Sequence, residues 1–303
     1  MLGMSASKQR SRRWGRGLVL VLAVLVLGFS GLVARGHWVR TRTIELPKAG
    51  STLVVRSGEP QAIERGRHLA RDVLVCVECH GDDLGGELYI DALPFVRLVG
   101  PNLTPNPDAP TADYAAADWD RAIRHDLDRS GRPLVMMPAE GYASLSNRDL
   151  GDLIAYLESL PAIERELPAS KIGPFGAIAL ALGNLDLSAR VIDHAAVGTH
   201  EPAVGRTREY GRYLVEVSGC RGCHGPDLEG RSFGPNQPRA PALTAEALEP
   251  WTVETFARAL RTGVDRAGEA LDPLMPSASF AGLSEVELDA LWMFLSEREP
   301  ASP

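Results

Sequence analysis

A helix-rich, internally duplicated chain with a single membrane helix near its start is what the sequence predicts, on three observations. Residues 17–34 form an uncharged, almost wholly apolar run. A series of short motifs then recurs in the same order in two later stretches, around residues 66–157 and 211–295. Each stretch closes on a polar cap followed by apolar residues at helical spacing. With 303 residues, 45% of them hydrophobic and 23% charged, the composition is that of folded protein and the length suits about two domains rather than one.

The apolar run of 18 residues follows Lys8, Arg10, Arg12, Arg13 and Arg16 and is just long enough to cross a bilayer. Residues 1–16 therefore read as a cytoplasmic basic segment, 17–34 as a transmembrane anchor and 35–57 as a linker. A cleaved signal peptide is the competing reading, with Gly28-Phe29-Ser30 as its candidate cleavage site. The run exceeds an ordinary signal core and no Ala-x-Ala follows it, which favours the anchor. Basic residues do not fix the orientation, because Arg35, Arg40, Arg42 and Lys48 lie just beyond the run and nearly balance those before it.

The four cysteines all fall in two pentapeptides, Cys76-Val77-Glu78-Cys79-His80 and Cys220-Arg221-Gly222-Cys223-His224. Two thiols three positions apart can each add to one vinyl group of a haem, and the next residue is placed to bring an imidazole nitrogen to the iron. A four-thiolate zinc site would need its two Cys-x-x-Cys pairs close in sequence, and here a domain's length of chain separates Cys79 from Cys220. A redox dithiol would open a helix after a strand in a thioredoxin-like pattern, which neither pair does. Structural disulfides would leave both histidines coincidental. The residues thus point to two covalently bound haem c groups, attached outside the bacterial cytoplasmic membrane.

The repeat extends well past the cysteines. Gly66-Arg67-His68-Leu69 answers Gly211-Arg212-Tyr213-Leu214, and Gly81-Asp82-Asp83-Leu84 answers Gly225-Pro226-Asp227-Leu228. Pro101-Asn102-Leu103-Thr104 matches Pro241-Ala242-Leu243-Thr244, the segment from Trp119 to Arg124 matches that from Phe256 to Arg261, and Met137-Pro138 matches Met275-Pro276. Ser146 and Ser284 stand three positions before Asp149 and Glu287, the spacing of a capped helix start. Leu150, Leu153, Ile154 and Leu157 then line one helical face in the first copy, and Leu288, Leu291, Trp292 and Leu295 in the second. Domain boundaries follow at 58–162 and 204–300. Between them, residues 163–203 read as a linker packing on one or both domains, its apolar stretch 177–182 forming a buried interdomain helix. That stretch is too short to span a bilayer, and a membrane-touching segment is the alternative.

On these motifs the sequence resembles the membrane-anchored dihaem c-type cytochromes of bacteria, including the cytochrome subunits that accompany membrane-bound dehydrogenases, over roughly residues 58 to 300. The resemblance implies an all-α protein of two tandem class I cytochrome c domains, each wrapping one haem, with first and last helices crossing where Gly66 meets Tyr156 and Gly211 meets Phe294. It also implies that the His80 and His224 rings are held by the carbonyls of Pro101 and Pro241. Met275, in the loop where the family carries its distal ligand, is the expected sixth ligand opposite His224. Its counterpart Met137 is expected opposite His80, in preference to Met136 because only Met137 directly precedes a proline. Met293 reads as a core residue, and His68, His125, His194 and His200 as surface or packed residues. Asp126 stands where the second copy has Gly263, a departure that touches the local loop and not the haem.

Histidine/methionine ligation raises a haem's reduction potential and leaves no open position for oxygen or peroxide. The expected function is electron transfer between periplasmic or membrane redox partners, with no catalytic residues of its own, as a possible electron-transfer subunit of a dehydrogenase or oxidase complex. A dihaem enzyme such as a peroxidase, with one catalytic haem, is the alternative. All 39 acidic residues lie beyond Ala34 together with 27 of the 32 basic ones, so the part expected in the periplasm carries a formal charge of −12. That charge argues against nucleic acid as a partner. The expected location is the bacterial inner membrane, with the haem domains in the periplasm and redox proteins as partners.

Overall fold

The computed structural model describes the chain except for residues 1–3, 48–52, 186, 235–237 and 298–303, and except for the side chains of 4–13 and 15. The expectations for Lys8, Arg10, Arg12, Arg13 and Lys48, and for the extreme end of the second domain, therefore lie outside what is described. The apolar run becomes part of α1 (Met4–Thr41), whose portion Arg16–Thr41 is long and apolar enough to cross a membrane.

The first repeat then contributes α2 (Pro60–His68), α3 (Val77–His80), β1 (Glu87–Ala92), β2 (Val96–Gly100), α4 (Ala116–His125), α5 (Ala139–Tyr142) and α6 (Asn147–Ser159). Next come β3 (Lys171–Ile172) and α7 (Pro174–Leu182). The second repeat supplies α8 (Arg208–Val217), α9 (Cys220–His224), β4 (Arg231–Ser232), β5 (Arg239–Ala240), α10 (Ala245–Leu248), α11 (Val253–Thr262) and α12 (Glu285–Ser296). Helices dominate, but the all-α expectation needs correcting: β1, β2 and β3 form a three-stranded sheet and β4 pairs antiparallel with β5. In the stretch after the first Cys-x-x-Cys-His, Tyr89, Ile90, Val96 and Val99 favour extended backbone.

The chain divides into two compact units. One comprises Met1–Arg42, Asp91–Arg97 and Ser170–Asp186; the other comprises Thr43–Ile90, Leu98–Ala169 and Leu187–Pro303 and holds both repeats. In the smaller unit α7 packs on α1 through Gly36, where an added Cβ would overlap the Ala177 carbonyl, and through an edge-on contact between Phe29 and Phe175. The main partner of this helix is thus the N-terminal helix, a correction to the expected interdomain burial. A stretch of nine apolar residues carries no polar face that would dictate which apolar surface receives it.

In the larger unit each repeat is built on one crossing. A Cβ at Gly66 would overlap the Asp152 carbonyl and lie 2.7 Å from Tyr156 Cβ, and one at Gly211 would overlap the Ala290 carbonyl and lie 2.9 Å from Phe294 Cβ. Only glycine lets the backbones approach so closely, so α2 crosses α6 and α8 crosses α12 at the expected positions. Leu150, Leu153, Ile154 and Leu157 are buried at the first crossing and Leu288, Leu291 and Leu295 at the second, within one continuous apolar core. The caps form as their spacing predicts. Ser146 Oγ accepts from Asp149 N at 3.0 Å and Ser284 Oγ from Glu287 N at 3.3 Å.

Candidate functional site

Both Cys-x-x-Cys-His motifs form a short helical turn, α3 and α9, ending in a glycine at positive φ, 78° for Gly81 and 88° for Gly225. The chain reverses there in the same way twice. Leu84 N donates to Gly81 O and Leu228 N to Gly225 O, both at 2.9 Å. Gly86 N returns to His80 O at 2.9 Å and Gly230 N to His224 O at 2.8 Å. Leu84 and Leu228 take left-handed φ values of 57° and 61°, which leucine adopts at a cost, and both are wholly buried. Their carbonyls accept from Leu103 N and Leu243 N at 2.9 and 2.8 Å, which brings the following proline segment back over the motif.

The outcome is that His80 Nδ1 lies 2.8 Å from Pro101 O and His224 Nδ1 lies 2.8 Å from Pro241 O. A carbonyl only accepts, so each Nδ1 carries the hydrogen and each Nε2 holds its lone pair. Neither Nε2 has a hydrogen-bond partner among the described residues. Burial pushes both imidazoles below their ordinary value, against the opposing effect of the proline carbonyl. The four thiols are unpaired. Burial drives Cys76 and Cys220 up to about 12, which does not suit the low-pKa thiolate of a redox dithiol. Paired free thiols, a neutral imidazole with a free nitrogen and apolar walls form a donor set that fits a covalently held haem.

Met137 and Met275 are part-buried against the same apolar core, whereas Met136 is 52% exposed and takes φ 69°. Met293, expected in the core, is half-buried in α12. Trp119 and Phe256, at equivalent places in α4 and α11, are both buried. Tyr142, just after the Met137-Pro138 loop, donates to Leu74 O at 2.6 Å and so ties that loop to the approach to Cys76.

Sequence reasoning missed how the repeats grip each other. His68 Nε2 lies 2.8 Å from Glu287, and its repeat counterpart Tyr213 donates to Asp149, the counterpart of Glu287, at 2.7 Å. Arg65 reaches Asp149 at 3.3 Å and Glu287 at 3.2 Å. Burial would raise the Glu287 carboxyl, but His68 and the Ser284 cap outweigh it and hold the group at about 2. His68 also meets Asp72 at 3.1 Å through Nδ1; although burial opposes its charge, hydrogen bonding to Glu287 raises its value.

The same reciprocity places the loop beyond each Met-Pro against the other repeat's motif region. Gly141 lies where a Cβ would be 3.6 Å from Gly219 Cα, Gly282 abuts the Asp72 carboxylate, and Ser279 donates to Glu78 inside the first motif. Tyr89 hydrogen-bonds Cys79 and lies within electrostatic range of Cys223. The visible clue was that both cap partners, Asp149 and Glu287, are acidic, while Arg65 and His68 are answered by Tyr210 and Tyr213. Of the remaining histidines, His125 and His194 are in mutual contact, Nδ1 to Nδ1 at 2.9 Å, and His200 is exposed.

Comparison with known proteins fits this geometry. Residues 63–161 match the family model described as cytochrome c. This stretch is thus similar to cytochrome c domains. Such a domain carries covalent haem c. The chain is similar to a nicotinate dehydrogenase subunit of Pseudomonas putida, 30% identical over 81% of this chain and 22% of that protein. It is similar also to the fructose dehydrogenase cytochrome subunit of Gluconobacter japonicus, 26% identical over 84% of this chain and 57% of the relative. A diheme cytochrome c-type protein of Cereibacter sphaeroides is 29% identical over 62% of this chain and 69% of its own length. The chain thus spans only about a fifth of the first of these and under two thirds of the second. Several relatives are named as cytochrome subunits of dehydrogenases. These relatives give no support to the peroxidase alternative.

Proposed function

We propose that the chain is a dihaem c-type cytochrome, tethered to the bacterial inner membrane by α1 with both repeats in the periplasm, that passes single electrons between redox proteins as the electron-transfer subunit of a dehydrogenase complex. The observation that carries the reading is the pair of matching histidine–proline contacts at 2.8 Å, one beside each Cys-x-x-Cys-His turn. Haem c, when bound, supplies an iron that takes up and releases one electron at a time. The chain's own residues do the rest.

Cys76 and Cys79, and Cys220 and Cys223, would hold the two groups by thioether bonds. Pro101 and Pro241 fix the ring tautomer, so the Nε2 lone pairs of His80 and His224 would be the ones to bind the iron. Met137 and Met275 would supply the thioether donors, which would favour the reduced state. The outward placement of Met136 supports Met137 in this role. The reciprocal packing of each Met-Pro loop beside the other repeat's motif supports a short path between the two groups. Dehydrogenase partnership is inferred from the names of the relatives.

A pyridine haemochrome count on the detergent-solubilised protein should give two haems per chain, and its resting spectrum should be low-spin. Met137→His should lower one of two potentials in a redox titration and leave covalent attachment intact. An unchanged titration would remove Met137 from the ligand set, and a high-spin haem that binds cyanide rapidly would overturn the carrier reading. Co-purification with a dehydrogenase subunit in mild detergent tests the partnership.

A further inference from the structure

In the smaller unit, α7 has no polar or charged side chain along its nine residues, yet Phe175 is 52% and Leu182 58% exposed. The turn between β1 and β2 adds Leu93 at 39% and Phe95 at 42%. A helix apolar on all sides is stable only inside a core or in lipid. α7 is locked to its neighbours by small residues. Gly36 meets Ala177 backbone to backbone, Gly173 and Gly176 meet the carbonyls of Pro94 and Phe95, and Gly173 N donates to Phe95 O at 2.9 Å. Close packing through Gly and Ala is the pattern of helices that associate in a membrane.

We propose that α7 and the turn at residues 93–95 lie in the outer leaflet of the bilayer that α1 crosses, with lipid acyl chains covering Phe175, Leu182, Leu93 and Phe95. The proposal rests on the anchor reading of α1 given above. Phe175 packs edge-on against Phe29, ring centroids 6.3 Å apart. Phe29 lies five residues before Ala34, the end of the apolar run, a depth of about 7.5 Å along a helix axis. If α1 spans, Phe175 is at hydrocarbon depth, and what covers it must be a component of the membrane.

Nine residues of helix reach only about 14 Å, so α7 cannot cross and must end within one leaflet. Its C-terminal end is provided for accordingly. Arg35 Nε donates to Ala181 O at 3.1 Å, satisfying a carbonyl that would otherwise be unpaired in an apolar medium. Headgroup-level residues follow directly on α1: Trp38 is exposed with the Arg42 guanidinium 4.8 Å above its ring. Amphipathic rings and cations of this kind collect at the bilayer interface.

The test uses full-length holoprotein, in which the native cysteines are consumed by haem. Phe175→Cys, Leu182→Cys and Leu93→Cys are spin-labelled singly in phosphatidylcholine/phosphatidylglycerol vesicles, and collision with oxygen is compared with collision with a water-soluble nickel chelate. Leu25→Cys in α1 and Glu269→Cys in the second repeat serve as references. The expected result is an oxygen-to-nickel ratio on the Leu25 side of unity at 175, 182 and 93, and on the opposite side at 269.

A water-like ratio at the three sites with Leu25 in lipid would overturn this proposal and leave the anchor standing. A water-like ratio at Leu25 as well would overturn both. Shielding from both reagents at 175 would mean a protein cover, and the lipid assignment would fall. Photoreactive acyl-chain lipids with the unsubstituted protein provide the same decision without a variant: adducts within 174–182 and 93–95 are expected, and adducts confined to α1 would refute the proposal.

Discussion

The two repeats take the same backbone path after their central helix and differ in the side chain at its left-handed end. Asp126 and Gly263 both end that helix in the left-handed region, at φ 57° and 66°. Leu134 N then donates to Asp126 O and Leu271 N to Gly263 O, each at 2.7 Å. In the second repeat the turn faces only Ser277. In the first, Asp126 Oδ2 accepts from Ala189 N at 3.1 Å, while buried Oδ1 has no hydrogen-bond partner among the described residues.

His194 extends this cover on the first repeat. Its Nε2 donates to Ala189 O at 2.9 Å, so its Nδ1 accepts from His125 Nδ1–H. That arrangement needs a neutral pair, and burial, helped by the neighbouring His194, Arg124 and Arg121 and opposed by Asp120, lowers His125 to about 4. The difference teaches that one backbone path serves both copies, while the first carries, in place of a permissive glycine, polar groups that pin the inter-repeat segment to its side.

The strongest way to break the comparison is to remove attachment from one copy at a time. Cys76→Ala or Cys220→Ala should each halve the pyridine haemochrome yield and destabilise its own repeat, because a domain of that size has a small core without its cofactor. Equal losses would mean the two copies depend on haem alike.

The next effect belongs to the first copy alone. Burial, reinforced by the charge of Glu140 and only partly offset by the Ala189 amide, raises the Asp126 carboxyl from 3.8 to about 7. The folded protein therefore holds that proton longer than the unfolded chain. Stability is lost as pH rises from about 4 to about 7, a cost of roughly 4 kcal/mol at most. Asp126→Asn should remove that slope in Tm between pH 4 and 8 and match wild type at the acid end.

The helix crossings should respond alike in both copies. Gly66→Ala and Gly211→Ala each force a methyl into a backbone carbonyl, at a cost of about 3 kcal/mol in denaturant unfolding. The smallest effect sharpens the contrast between His68 and Tyr213. With its value raised, His68 contributes fully below its ordinary 6.5 and loses its contribution as pH climbs through the raised value, while Glu287 contributes above 4.5 and fails only as pH falls toward about 2. His68→Gln should abolish the alkaline decline of about 1 kcal/mol in Tm profiles, and Tyr213→Phe should leave it in place.

Much of this was legible from residues alone because it is local. Three residues of spacing place a thiol pair, a glycine permits the turn after each histidine, and a serine three residues before an acid starts the last helix of each repeat. These constraints act within a few peptide units, so sequence determines them. The pairing of His68 with Glu287 joins positions 219 apart, and the seat of α7 on α1 joins positions more than 140 apart. Neither is encoded by any neighbour in the chain. Only the closed fold decided them, because a buried charge needs whichever partner the packing brings to it and an apolar helix accepts any apolar surface of the right shape.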